Sequence, residues 1–246
     1  MKTASTTSDV ASLRAVDAHH ALERFADPGK AQFFRGFFKS GPGQYGEGDR
    51  FLGVTVPEVR VQAKRFSGLA LQEVVALLQS PFNETRLLAL LILVAQYKKA
   101  DPPRKNEIYD IFMDNRRQVS NWNLVDSSAP YIVGPYLAAR DHAVLYELAR
   151  SEVLWDRRIA VLATFAFIRN NDFGDTLSLS EALLADPQDL MHKACGWMLR
   201  EVGKRNAQVL EGFLRKHQHH MPRTMLRYAI ERCPPAVRSA VMAGTF

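Results

Sequence analysis

The chain has 246 residues, 47% of them hydrophobic and 24% charged, with 32 Lys and Arg against 26 Asp and Glu for a formal charge of +6. At roughly 150 residues per domain, this length allows one large domain or two small ones, and the composition is that of a folded protein with a full core. Two cysteines exclude a disulfide scaffold and a four-cysteine zinc site. The longest apolar run, Leu87 to Ala95, is about half of the ~18 residues a membrane span needs. The opening MKTASTTSD lacks the apolar centre of a signal peptide. The expectation is a reduced, cytoplasmic protein with a mild basic excess.

Residues 1–9 are small and polar and are expected to form a disordered tail, with a single domain over 10–246. From Val10 onward the apolar spacing is helical. Leu87, Leu90, Leu91 and Val94, or Ile159, Leu162, Ala163 and Ala166, follow the i, i+3, i+4, i+7 pattern, and no run of alternating strands competes with it. Six of the 14 glycines fall between Gly36 and Gly53, which predicts one long loop joining an N-terminal helix pair to the rest. Helix starts are predicted at Pro81–Glu84, Asp101-Pro102-Pro103, Asp156, Asp186-Pro187, Met221-Pro222 and Cys233-Pro234-Pro235.

The helices recur. Arg86, Trp122, Arg158, Lys193 and Arg227 each sit early in an apolar helix, at intervals of 36, 36, 35 and 34 residues. Shorter helices lie between them, at Lys105–Arg116, His142–Arg150, Thr176–Leu184 and Val209–Lys216. A two-helix unit of about 35 to 40 residues is the signature of an all-α solenoid of HEAT-like, armadillo-type repeats, in which neighbours stack because no unit buries its apolar face alone. A compact, non-repeating helical domain is the alternative. In a solenoid, equivalent positions line up, so Arg86, Arg158, Lys193 and Arg227 are candidates for one basic stripe on a concave face.

The charge is uneven. Leu190 to Arg238 carries ten basic and three acidic residues, a net of +7, which leaves the remainder near −1. A solvated helix surface and a phosphate-tracking surface both fit that pattern. On the helix after Asn121, Trp122 and Asp126 share a face at i and i+4, and Trp197 lies two units further on. A carboxylate between indoles suits a reaction that develops positive charge, such as cleavage of the N-glycosidic bond of a cationic base. Tryptophans packed in a core and an incidental aspartate are the alternative.

His217, His219 and His220 have irregular spacing with no completing ligand, and read as a surface turn, not a metal site. Cys195 and Cys233 form no CxxC pair, and the glycine-rich segment lacks the residues of a phosphate-binding loop.

Five segments, in order and at matching spacing, resemble the AlkD-like DNA alkylation repair family: FLGVTVPEVR (51–60), SNWNLVDSSAP (120–130), LWDRRIAVLATFAFIR (154–169), MHKACGWMLREVGK (191–204) and MPRTMLRYAIE (221–231). The resemblance runs from about Lys30 to Pro235. It implies a HEAT-like-repeat DNA glycosylase that removes cationic N3- and N7-alkylated purines from duplex DNA. It implies no metal, no cofactor, no membrane and no obligate protein partner, and a cytoplasmic, nucleoid-associated location. By this resemblance Asp126 is the catalytic carboxylate, and Trp122 and Trp197 flank the lesion sugar. Arg158 and Arg200 contact phosphates, and Lys193, Arg223 and Arg227 extend that surface. Such proteins are expected to grip the lesion through its backbone, without a deep base pocket. Asn121 stands where some members carry a further tryptophan, and Thr55 stands near the DNA where some carry glutamine. A catalytically silent DNA-structure binder and a protein–protein scaffold remain the other readings.

Overall fold

The structure is a computed structural model that describes residues 13–246, so the tail expected at 1–9 lies outside the described residues. The described chain is helical, with no β-strand and a single isolated bridge between Arg50 and Phe82. The first helices are α1 (Ala15–Glu23), α2 (Pro28–Phe37), α3 (Val56–Arg65), α4 (Leu71–Leu78), α5 (Asn83–Lys99) and α6 (Pro102–Asp114). Short helices follow: α7 (Trp122–Asp126), α8 (Val133–Leu137) and α9 (Ala143–Ala149). Then come α10 (Leu154–Ala163), α11 (Phe165–Arg169), α12 (Gly174–Ala182), α13 (Asp189–Arg205), α14 (Ala207–His217), α15 (Arg223–Ile230) and α16 (Pro235–Ala243). No described helix is long and apolar enough to cross a membrane.

The packing is consistent with an α-solenoid. One row runs α5, α7, α10, α13, α15, each helix against the next, and these are the helices that carry the five regularly spaced anchors. The intervening helices pack on the flank: α4 and α6 on α5, α9 on α10, α12 and α14 on α13, and α16 on α15. Buried apolar residues form one connected core from Ala18 to Val241. Within it, α5 is buried on every side along Asn83–Leu93, which is why its Leu87–Leu93 stretch is apolar all round.

Helix starts follow the punctuation in the sequence. Asp27 precedes Pro28 and accepts from the Lys30 N–H at 3.0 Å, and Asp101 precedes Pro102 and accepts from the Arg104 N–H at 3.0 Å. These aspartates satisfy amides that have no partner inside the helix, while proline at the first position gives up a donor the helix does not use. Asn206 caps α14 in the same way, at 3.2 Å from the Val209 N–H. The predicted long loop is real but shorter at its start, because α2 continues through Phe37.

Close approach of α13 and α15 depends on Gly196. A Cβ there would lie 2.5 Å from the Met225 carbonyl oxygen and 2.6 Å from the Tyr228 Cβ, whereas one on Gly212 in α14 would meet nothing within 4 Å. Gly196→Ala should therefore lower stability by about 1–3 kcal/mol through overpacking. Gly212→Ala should raise it by up to about 1 kcal/mol through helix propensity. Urea denaturation of the two variants checks this, and a similar effect at both positions would contradict the packing argument.

Candidate active site

The site is built on α7, a helix of only five residues. Its position is set by a buried polar network that ties it to the glycine-rich loop and to α5. Asp49, from the loop, pairs with Arg86 and accepts from Asn83 Nδ2 and Asn121 Nδ2, each at 2.9 Å. Asn123 Nδ2 donates to Asn83 Oδ1 at 2.7 Å, and Asn121 Oδ1 accepts from the Trp122 N–H at 2.9 Å, capping α7. Asn121 is fully buried. Position 121, where some members of the resembled family carry a further tryptophan, thus holds an amide whose two ends tie down the loop and start the helix.

Trp122 is half-buried and stacks on Phe38, with centroids 5.2 Å apart and planes 25° apart, while Phe37 meets it edge-on at 5.8 Å. Phe38 stacks in turn on Phe51 at 5.2 Å and 14°. Asp126 ends α7, with its carboxylate 18% exposed. Arg158, from α10, grips it with two parallel bonds, Nε to Oδ1 and Nη2 to Oδ2, both 2.8 Å. Arg158 Nη1 donates to the Leu190 carbonyl at 2.6 Å, so this one side chain joins α7, α10 and α13. The arrangement fixes the plane of the carboxylate while leaving one edge open.

That edge faces a cavity of about 400 Å³ between α2, α3, α5 and α7, lined by Phe33, Phe37, Trp122, Tyr131, Glu84 and Asp126 among others. Helix α2 and the end of the glycine-rich loop supply one wall of this half-open cavity. Glu84 lies at the cavity and accepts from the amides of Leu52, Gly53 and Val54 at 3.1, 2.9 and 3.3 Å. Burial pushes its carboxyl above the usual range, and those amides pull against the shift.

The other expected site residues divide. Trp197 does not line the cavity; it lies on α13 and its Nε1 donates to Glu201 at 3.1 Å. It falls two helical turns, about 10 Å, beyond the Leu190 carbonyl that Arg158 holds. Arg158 and Arg86 correct the picture of an exposed basic stripe: they are only 4% and 3% exposed and are bound inside the stack. Arg200 pairs with Glu231, and Lys193 with Asp189 at 2.8 Å. Arg223 is exposed and donates to the Met242 carbonyl at 3.1 Å, and Arg227 is exposed. Thr55 is half-buried at the start of α3, where its N–H and hydroxyl both donate to Glu58 at 2.9 and 2.7 Å. His217 also departs from expectation, being buried against Phe213 at the end of α14 and not in a surface turn. Cys195 is fully buried, its thiol pushed up to about 12 by burial, so it is inert at neutral pH.

Residues missed in the sequence reading cluster in two places. Phe33, Phe34 and Phe37 stand at i, i+1 and i+4 on α2, a spacing that ordinary helix packing also produces. Tyr45, on the glycine-rich loop, meets Trp155 edge-on at 5.9 Å. Burial raises its hydroxyl above the usual range, and the contact with Trp155 sets the loop against α10. A groove of about 720 Å³ crosses the ends of α5, α11 and α13 and shares Tyr131 with the cavity. Lys98, Arg169 and Arg205 line it, all exposed and none ion-paired among the described residues.

The chain is thus an all-α stack with an arginine-clamped carboxylate at the end of α7. Residues 18–233 match the family model described as DNA alkylation repair enzyme, and the chain belongs to that family. No curated protein matches it. Its structure is similar to a solved one titled "Predicted DNA alkylation repair enzyme from Enterococcus faecalis", with TM-score 0.66 and 17% identity over 85% of this chain and 97% of that one. At that identity the likeness is one of fold. The family assigns the chain a role in repair of alkylation damage, with DNA as its substrate.

Removing one partner of the Asp126–Arg158 pair leaves a poorly solvated charge behind. Arg158→Met should destabilise the protein by about 3 kcal/mol, the lower end of the range for buried pairs because Asp126 keeps some solvent. The double variant Arg158→Met/Asp126→Asn should recover part of the loss in urea denaturation. Strictly additive effects would show that the two groups are not coupled.

Proposed function

We propose that this protein is a monofunctional DNA glycosylase that hydrolyses the N-glycosidic bond of cationic N3- and N7-alkylated purines in duplex DNA. The observation that carries this reading is the Asp126 carboxylate, held in one plane by Arg158 and open on the side of the Trp122 cavity. As the bond to the base lengthens, its electron pair goes to the purine, which becomes neutral, and the sugar takes on oxocarbenium character. A fixed anion beside that sugar lowers the barrier without having to reorganise. Asp126 accepts a hydrogen bond from the water that attacks the anomeric carbon. Arg158 acts as a positioning residue, through the carboxylate, in place of the direct phosphate contact expected from the motif. No lysine lines the cavity, so the reading includes neither a Schiff base nor strand cleavage.

For the phosphate backbone this reading favours the free cations Lys98, Arg169 and Arg205 of the adjoining groove, with Arg227 from the original set. Arg200 and Lys193 already have carboxylate partners. Binding through such a row is independent of base sequence.

Base release from duplex containing 7-methylguanine tests the reaction. Wild type should release the base, and Asp126→Asn should lose roughly 100-fold or more, the scale of removing a preorganised electrostatic group. Intact, salt-sensitive DNA binding with no release by wild type would favour a silent DNA binder. For the groove, Lys98→Gln and Arg169→Gln should each weaken duplex binding for all sequences alike and reduce the salt slope by about 1. An unchanged slope would remove these residues from the interface.

A further inference from the structure

We infer that a hollow on the side of α2 turned away from Asp126 is a binding site for a nucleotide phosphate, held by Arg35 and Arg50. Helix α2 separates two cavities. Phe33 and Phe37 line the one at Asp126, whereas Ala31 and Arg35 line a second, of about 560 Å³. Two residues along a helix turn about 200°, so these pairs point to opposite sides. The loop segment Asp49–Leu52 and Phe82, just before α5, complete the second hollow. Its volume falls within the roughly 300–1,000 Å³ of small-molecule sites. Gly53, at φ +83°, lets the loop pass so close to the Asp27 carbonyl that no side chain fits between them, and the Asp27 N–H donates to the Leu52 carbonyl at 2.9 Å. The two walls of the hollow are therefore pinned together. Nothing in this inference depends on the glycosylase reading.

The chemistry of the lining selects the occupant. The backbone of Arg50 is fixed: its N–H donates to the Pro81 carbonyl at 3.1 Å, and its carbonyl accepts from the Asn83 N–H at 2.8 Å. Its guanidinium lies over the Phe82 ring, 4.7 Å from the centroid. Stacking occupies the face of a guanidinium and leaves its N–H edge free to bind in the plane. Arg35 stands exposed in the last turn of α2. Neither arginine is ion-paired among the described residues, in contrast to Arg86, Arg158 and Arg200. The one carboxylate in the lining, Asp49, is turned inward, where it pairs with Arg86 and accepts from Asn83 and Asn121. The hollow thus carries two uncompensated positive charges. A carboxylate has two oxygens and is filled by one arginine fork, whereas a phosphate has oxygens enough to take a bond pair from each of two. Ala31, Phe51 and Leu52 add an apolar flank, and the hollow is larger than a bare phosphate needs, so a sugar and base can rest beside the charged group. A free nucleotide and a DNA strand share this chemistry.

The test has two arms. In the first, a ribose-labelled fluorescent ADP reports binding by polarisation, with unlabelled ADP, pyrophosphate and adenosine as competitors. ADP and pyrophosphate should compete saturably, and adenosine at least about tenfold more weakly, because it lacks the charged acceptors. Arg35→Gln and Arg50→Gln should each weaken ADP by about tenfold, whereas Arg169→Gln, in the other groove, should leave it unchanged. Both arginines are exposed, and unchanged thermal unfolding of the variants confirms that the site alone was altered. In the second arm, the same variants are titrated with an undamaged duplex at several salt concentrations. Weaker ADP binding with duplex affinity intact assigns the site to a free nucleotide. No ADP binding, but weaker duplex binding and a salt slope smaller by about 1 in both variants, assigns it to a DNA phosphate. ADP bound no better than adenosine, together with duplex binding that neither substitution changes, would overturn the site.

Discussion

The site depends on one guanidinium. Arg158 holds both oxygens of Asp126 and the Leu190 carbonyl, so three successive helices of the row meet at a single planar fork. A lysine could not do this, because it lacks the paired, coplanar donors. The ion pair does not raise stability in proportion to its charge, since desolvating both groups offsets most of their attraction. What it contributes is position: the carboxylate of a five-residue helix, which could not stand alone in water, is held to a set plane.

The same device recurs along the stack. Arg86 pairs with Asp49, Arg157 with Asp186 at 2.6 Å, and Arg200 with Glu231. Arginines on α5, α10 and α13 thus bridge one element to the next. This explains how a chain with a net charge of +6 has few cations free on the row where spacing placed them. Besides Arg227, exposed cations without an ion pair among the described residues lie at helix ends, such as Lys98, Arg169 and Arg205, where cations also suit the helix dipole.

Helix α2 and the glycine-rich loop give the site its second wall. They carry no part of the regular spacing, yet they bring Phe37, Phe38 and Tyr45 against residues of α7 and α10. Buried Asp49 anchors the loop and α7 together through Asn121, so the wall and the carboxylate are located by one polar network.

The sequence by itself determined the helical class, the order of stacked units and the Trp122–Asp126 pairing. These follow from local rules: apolar periodicity, proline and aspartate at helix starts, and side chains four residues apart on one face. The shared motifs identified the family for the same reason, since they are contiguous in the chain. Only the tertiary structure decided which arginines are buried, where Trp197 falls relative to the carboxylate, and that α2 closes a cavity. Arg86 and Arg158 look like surface cations until Asp49 and Asp126, 37 and 32 residues away, are seen to neutralise them. Side-chain partners so distant in sequence leave no periodic trace, because ion pairing requires proximity in space and not a spacing along the chain.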